Sequence, residues 1–367
     1  MGDKLTPMGE VFVIAEAGVN HNGSLNLAEK LIDAAVEAKA DAVKFQTFKT
    51  ELCITKTAKR ADYQKAEGQA DTQFDMVKKL ELSQDDFRYL CRYCERRGIQ
   101  FLSTAFDIPS LEFLAEELQQ PSIKIPSGDV LNGPLLLAAA RTGKEILLST
   151  GMCHLGDIEQ ALGVLAFGFL DDGSVPQSHE IFKDRFSSEE GWQMLRSRVS
   201  LLHCTTEYPA PFKDVNLKTM KTLGTAFDLA VGISDHSMGI EVPIGAVALG
   251  ATVVEKHFTL DRDMEGPDHK ASLNPDDLAS MISAIRNISI SLGDGRKFPR
   301  QSEIKNIEIA RKYIVAARPI KAGQVIAEGD IIAKRATKGI SPIFYWDILG
   351  STSDRDYMID DIIVAVK

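Results

Sequence analysis

The chain of 367 residues carries 42 lysines and arginines against 52 aspartates and glutamates, a formal charge of −10, with 44% hydrophobic and 26% charged residues. This acidic balance argues against broad binding to nucleic acid or to an anionic membrane, which needs clustered basic side chains. An anionic small molecule stays compatible if a few lysines converge in a cleft. No apolar stretch reaches the ~18 residues of a membrane span, and the start MGDKLTPMGEVFVIAEAG lacks the basic region and small-residue cleavage site of a secretion signal. A cytoplasmic protein is therefore expected.

Short β-branched runs alternate with helical stretches along the chain. The runs are VFVIAEAG (11–18), ADAVKFQT (40–47), IQFLSTAF (99–106), SIKIPSGD (122–129), EILLSTGM (145–152), VSLLHCTT (199–206), DLAVGISDH (228–236) and ATVVEKHF (251–258). Between them lie segments such as LNLAEKLIDAAVEAKA and PSLEFLAEELQQ, apolar at helical spacing. Eight strand–helix repeats predict a parallel (β/α)8 TIM barrel, class α/β, over residues 1–285. A doubly wound sheet is disfavoured because no GxGxxG follows any strand. Among five cysteines, Cys91 and Cys94 form CRYC inside a predicted helix and read as ordinary reduced thiols. The stretch 153–198 exceeds an ordinary connection; a lid, an oligomer contact and a disordered insertion all stay open. Residues 286–307 read as a Gly/Pro/charge-rich linker, and 308–367, with short alternating runs broken by Gly and Asp, as a small β-rich domain.

Each barrel run begins apolar and turns polar toward its C-terminal end, the rim where the active sites of such barrels sit. The tips carry Glu16, Lys44 and Gln46, Ser103 and Thr104, Lys124 and Ser127, Ser149, His203, Ser234 and His236, and Glu255 and His257. Residues two apart share a face, so Lys44 with Gln46, Ser234 with His236, and Glu255 with His257 form pairs. Two lysines and two histidines on four strand ends point to an anion site and a metal site in one cavity.

Taken in order, EAGVNHNGS, AVKFQTFK, STAF, IKIPSGD, LLSTGM, LLHCTTEYPAPF, GISDHS and EKHFT followed by GPDH resemble the sialic acid synthase family of bacterial N-acetylneuraminate, legionaminate and related nonulosonate synthases. The resemblance implies condensation of phosphoenolpyruvate with an N-acylated mannosamine-type sugar, giving a nine-carbon 2-keto acid and phosphate. It also implies a divalent metal, Mn2+ or Mg2+, held by His236 and His257. Lys44 and Lys124 would supply charge to phosphoenolpyruvate, with Thr104, Ser127, Ser149 and Ser234 as hydroxyl donors. Glu16 would handle the proton of the attacking water, with capping of a helix as its structural rival. Gln46, Tyr208, Asp129 and Asp268 would contact the sugar. The last domain resembles the antifreeze-like (SAF) domain of these synthases, which implies a domain-swapped homodimer with Arg335 reaching the N-acyl group from the partner subunit. Two departures stand out: SGD where many members read SGE, shortening Asp129 by one methylene, and RATKGI (335–340) where many read RPGxGI. A pseudaminate-type sugar, a metal-dependent barrel hydrolase and a silent sugar-binding barrel remain as alternatives. The hydrolase expects an HxH pair near His21.

Overall fold

A computed structural model describes residues 10–59, 72–170 and 173–364. They form two compact units, one ending at Gly293 and the other beginning at Asp294. In the first, eight parallel strands close into a barrel in chain order: β1 Phe12–Gly18, β2 Ala42–Thr47, β3 Gln100–Ala105, β4 Ser122–Ile125, β5 Glu145–Ser149, β6 Val199–Cys204, β7 Ala230–Asp235 and β8 Val253–His257.

The period of two sorts each strand. Phe12, Ile14, Ala42, Leu102, Leu147, Leu202 and Val253 fill the lower lumen, while Val13, Ala15, Val43, Phe45 and Val254 face outward into the larger core shared with the helices. Carrying the inward rows upward from Ile14, Ala42, Leu102, Leu147 and Val253 leads to Glu16, Lys44, Thr104, Ser149 and Glu255. Along these five rows the lumen thus changes from apolar side chains to a polar mouth, because their polar side chains occupy the last inward positions.

Helix ends follow local chemistry. The helix Gln84–Arg97 starts at a Ser83/Asp86 capping box and stops at Gly98, whose φ of 72° suits a residue without Cβ. It contains Cys91 and Cys94, and all five cysteines are free thiols. The stretch after β5 is helical: Leu155–Phe169, Glu180–Phe186 and Glu189–Arg198. The first buries Ile158, Leu162, Leu165 and Phe167, and the Phe167 and Phe182 rings meet edge to face at 5.5 Å. Its apolar sequence is therefore spent on packing against neighbouring helices; Asp171 and Asp172 lie outside the described residues.

β4 is shorter than its run suggests. It ends at Ile125, and Ser127–Asp129 form a 3-10 turn after Pro126. A proline nitrogen cannot continue the ladder. The helix Pro275–Leu292 runs past residue 285, beyond the face buried by Leu278, Met281, Ile282 and Ile285, and Gln301–Ala310 adds a second helix within the Gly/Pro-rich stretch.

Among its described residues the second unit holds a two-stranded antiparallel sheet, β9 Lys312–Ala316 with β10 Ile331–Arg335, around a core of Ile314, Ile320, Ile326, Ile331, Ile348 and Ile363. Arg335 ends β10 and is exposed. In the RATKGI loop, Gly339 lies so close to Ile362 and the Tyr313 ring that a Cβ would overlap Ile362. Close packing explains that glycine even without the neighbouring proline and first glycine.

Candidate active site

A cavity of about 530 Å³ opens at the C-terminal mouth of the barrel. Its charged floor follows from register: Glu16 pairs across the ladder with Lys44 on one side and His257 on the other, and Ser234 pairs with Glu255. Lys44 Nζ lies 2.7 Å from Glu16 Oε2, donates to Thr104 Oγ1 at 2.8 Å and is 3.4 Å from Glu255 Oε2. Lys124 Nζ, from β4, is 3.7 Å from Glu255 Oε1, and Ser234 Oγ donates to that same oxygen at 2.7 Å. Gln46 Nε2 donates to Glu16 Oε1 at 3.3 Å. Glu16 caps no helix; Ser24 does that for Leu25–Glu37.

Burial of four charges in one lumen splits the carboxylates. Burial raises Glu16 to about 7 against the pull of Lys44, with Glu255 adding repulsion. Burial also opposes ionisation of Glu255, but Lys124 and Lys44 on either side and the Ser234 hydroxyl hold it down at about 2. Glu255 is thus the fixed anion of the floor, and Glu16 is the carboxyl poised to exchange a proton near neutrality. Burial, with help from Lys44, pushes Lys124 below its ordinary value, whereas Lys44 stays above its own because two carboxylates outweigh its burial.

His236 and His257 stand side by side with ring centroids 5.4 Å apart. Tyr208 stacks on His236 at 4.0 Å and meets His257 edge-on at 5.5 Å. The Thr205 carbonyl lies 2.7 Å from His236 Nδ1. An acceptor there places the proton on Nδ1 and leaves the Nε2 lone pair toward Tyr208 Oη, 3.1 Å away. Asp268, which burial raises to about 6, is 3.8 Å from His257 Nδ1.

Apart from Glu16 Oε2 and Glu255 Oε2, which face the Lys44 ammonium, three buried polar atoms of the lining among the described residues have no hydrogen-bond partner: Ser149 Oγ, Thr206 Oγ1 and His257 Nδ1. Each such atom costs about 1–3 kcal/mol unless something enters to satisfy it. Hydroxyls beside two lysines suit a phosphate or carboxylate. The imidazole pair fits a divalent ion: one ring has its lone pair fixed by a backbone carbonyl, and the other has an orphaned nitrogen. Among the described residues no third His, Cys, Asp or Glu completes a protein-only metal cage, so the rest of such a shell falls to water and substrate.

Ser127, on the turn after β4, also lines the cavity, and its Oγ accepts from Gly151 N at 3.0 Å. Asp129 does not line it; the carboxylate turns to Asn132, which donates at 2.9 Å. Arg335 belongs to the other compact unit. His21 accepts from Gly23 N at 3.0 Å inside its own loop and stays outside the cavity lining, so no HxH arrangement forms there. One contributor, Thr206, escapes the sequence, whereas Glu255 stands among the strand tips as a same-face partner of His257 with no role assigned to it there. In the structure Lys256 points outward to Asp235 Oδ2 at 2.5 Å, leaving Glu255 to the lumen. Thr206 has no distinguishing local signal.

A closed parallel barrel whose C-terminal mouth gathers buried lysines, unpartnered hydroxyls and an imidazole pair has the make-up of a barrel enzyme with an anionic ligand. The chain belongs to the NeuB family: residues 31–297 match the model of that family, and residues 311–366 match the SAF domain. It is 46% identical to N,N'-diacetyllegionaminic acid synthase of Campylobacter jejuni, over 97% of this chain and 99% of that one. The protein of the same name from Legionella pneumophila is 41% identical over 93% and 89% of the two chains, whereas a pseudaminic acid synthase of C. jejuni is 31% identical over 96% and 95%. Among solved structures, N-acetylneuraminic acid (sialic acid) synthetase from Leptospira borgpetersenii, in complex with citrate, is similar with a TM-score of 0.65 and 36% identity, covering 82% of this chain and 90% of that one. Among the described residues no helix is long and apolar enough to cross a membrane.

Proposed function

We propose that the protein joins phosphoenolpyruvate to the open-chain aldehyde of 2,4-diacetamido-2,4,6-trideoxymannose, with one water, to give N,N'-diacetyllegionaminic acid and inorganic phosphate. The observation that carries this reading is the pair of buried lysines in one cavity lining with the unpartnered Ser149 hydroxyl and the two imidazoles. Lys44 and Lys124 hold the phosphate and carboxylate of phosphoenolpyruvate, assisted by Thr104, Ser127, Ser149 and Ser234. Gln46, Tyr208 and Asp268 orient the sugar, and Asp129 acts from outside the lining. His236 and His257 would hold Mn2+ or Mg2+, which supplies Lewis acidity for the aldehyde oxygen.

C3 of phosphoenolpyruvate bonds to the aldehyde carbon, and water adds at C2. Glu16 takes one proton of that water, balancing the proton gained by the new hydroxyl. Breaking the C2–O bond then releases phosphate, which carries off the remaining proton and leaves the 2-keto acid. A homodimer in which Arg335 of the partner subunit meets the N-acyl group belongs to the same proposal; exposure of Arg335 at the end of β10 supports it.

The test is phosphate release from phosphoenolpyruvate with this sugar and with N-acetylmannosamine, before and after chelation. Metal-dependent release is expected, and Lys44→Ala and Lys124→Ala should each lower kcat/KM for phosphoenolpyruvate by about 10²-fold or more, the scale of a lost charge-assisted contact. No release with either sugar would sink the reading.

A further inference from the structure

The imidazoles and Tyr208 come from the last residue of β8 and the segments after β7 and β6, but the segments after β1, β2 and β3 give the same cavity a different wall. Val19, Phe48 and Leu80 are buried and pack with Val77 and Phe106 as one apolar cluster, and all five line the cavity. Phe48 and Phe106 meet edge to face at 6.2 Å. Cys53, in the same lining, donates its thiol proton to the Phe106 carbonyl at 3.3 Å, and Gln73 also lines the cavity. Nothing in the floor chemistry requires these side chains: phosphate, carboxylate and aldehyde are served by the lysines, hydroxyls and imidazoles. An apolar wall of this size inside a polar cavity is a feature for the remaining part of the substrate.

We propose that this wall is the specificity determinant for the sugar, selecting a 6-deoxy, 4-acylamino chain over one with hydroxyls at C4 and C6. The inference rests on the reaction proposed above. A methyl at C6 and an acetamido methyl at C4 lose water against Val19, Val77 and Phe106 at a gain, whereas hydroxyls lose water with no partner in return. Apolar pockets discriminate modestly against an added hydroxyl, so a preference of about 10- to 100-fold is expected.

The measurement is the ratio of kcat/KM for 2,4-diacetamido-2,4,6-trideoxymannose to that for N-acetylmannosamine, taken on one preparation so that any unfolded fraction cancels. Val19→Thr and Val77→Thr keep the shape of the wall and add a hydroxyl. Each should lower the ratio by about tenfold, by weakening the deoxy sugar and improving N-acetylmannosamine. Turnover of both sugars with an unchanged ratio in both variants, or a wild-type preference for N-acetylmannosamine, overturns the wall assignment while leaving the synthase reading intact. Absence of phosphate release with either sugar instead overturns the synthase reading, and the wall assignment with it.

Discussion

Glu255 Oε2 lies 3.4 Å from Lys44 Nζ in the lumen, and the other oxygen of the same carboxylate is 3.7 Å from Lys124 Nζ. One buried anion is therefore shared by two buried cations that must both stay charged to receive a polyanionic substrate.

Removing that anion while keeping its shape should expose the repulsion between the lysines. Glu255→Gln is expected to destabilise the protein by about 3–5 kcal/mol, the scale for an uncompensated buried charge. Phosphoenolpyruvate or inorganic phosphate would replace the missing charge, so its stabilising effect on the melting temperature should be larger in the variant than in the wild type. Equal ligand shifts in the two proteins would show that Glu255 does not hold the lysines.

Glu16 sets a pH dependence whose sign follows from its raised value of about 7. The folded protein prefers the protonated form, so the associated stability is fully present below the unfolded carboxyl value near 4.5 and is lost as pH rises through about 7. Glu16→Gln mimics the protonated state. Relative to wild type it should gain up to about 3 kcal/mol between pH 5 and pH 8 in denaturant unfolding. The activity profile should move the other way: wild-type kcat rises through an acid limb near 7, and the variant has a low rate without that limb. A retained limb in Glu16→Gln would assign the proton to another group.

Metal binding separates the two imidazoles from ordinary core histidines. His236→Ala and His257→Ala are each expected to weaken Mn2+ binding, read directly by titration calorimetry, by about 10²-fold or more, since half the protein ligands are lost. Chelation should abolish wild-type turnover and Mn2+ should restore it. Unchanged Mn2+ affinity in both variants would remove the pair from the metal.

Gly151 marks a close approach at the anion end. A Cβ there would run into Thr206 Oγ1 and come within 2.8 Å of Ser127 Oγ. Gly151→Ala should therefore displace two hydroxyls of the floor and raise KM for phosphoenolpyruvate by about tenfold, with the KM for sugar changing less. An unchanged phosphoenolpyruvate KM would show that those hydroxyls are not contacts.

Strand count, strand order and the identity of the mouth were legible because the period of two is a local property: Ile14 and Glu16, or Val253 and Glu255, must share a face wherever the strand goes. The same logic aligns Ser234 with His236 and Lys44 with Gln46 whatever strands pair with them, and all four line the cavity. It stops where a proline interrupts the ladder: the run through Ser127 and Asp129 ends at Pro126, and the helix Pro275–Leu292 continues past 285 although its buried face ends at Ile285.

Which charge balances which lies beyond periodicity. Glu255 and Lys256 are adjacent in sequence and opposite in direction, so their partners depend on the strands alongside: Lys44 and Lys124 through the closed lumen, Asp235 on the outer side of β7. The split between Glu16 and Glu255 likewise exists only once both are buried around the same two cations, because desolvation and Coulomb energy act over a few ångströms of space, not of chain. Residue type and spacing could name the groups at the mouth; closure of the barrel decided their charges, and the packing of Val19, Phe48, Val77 and Phe106 decided the wall beside them.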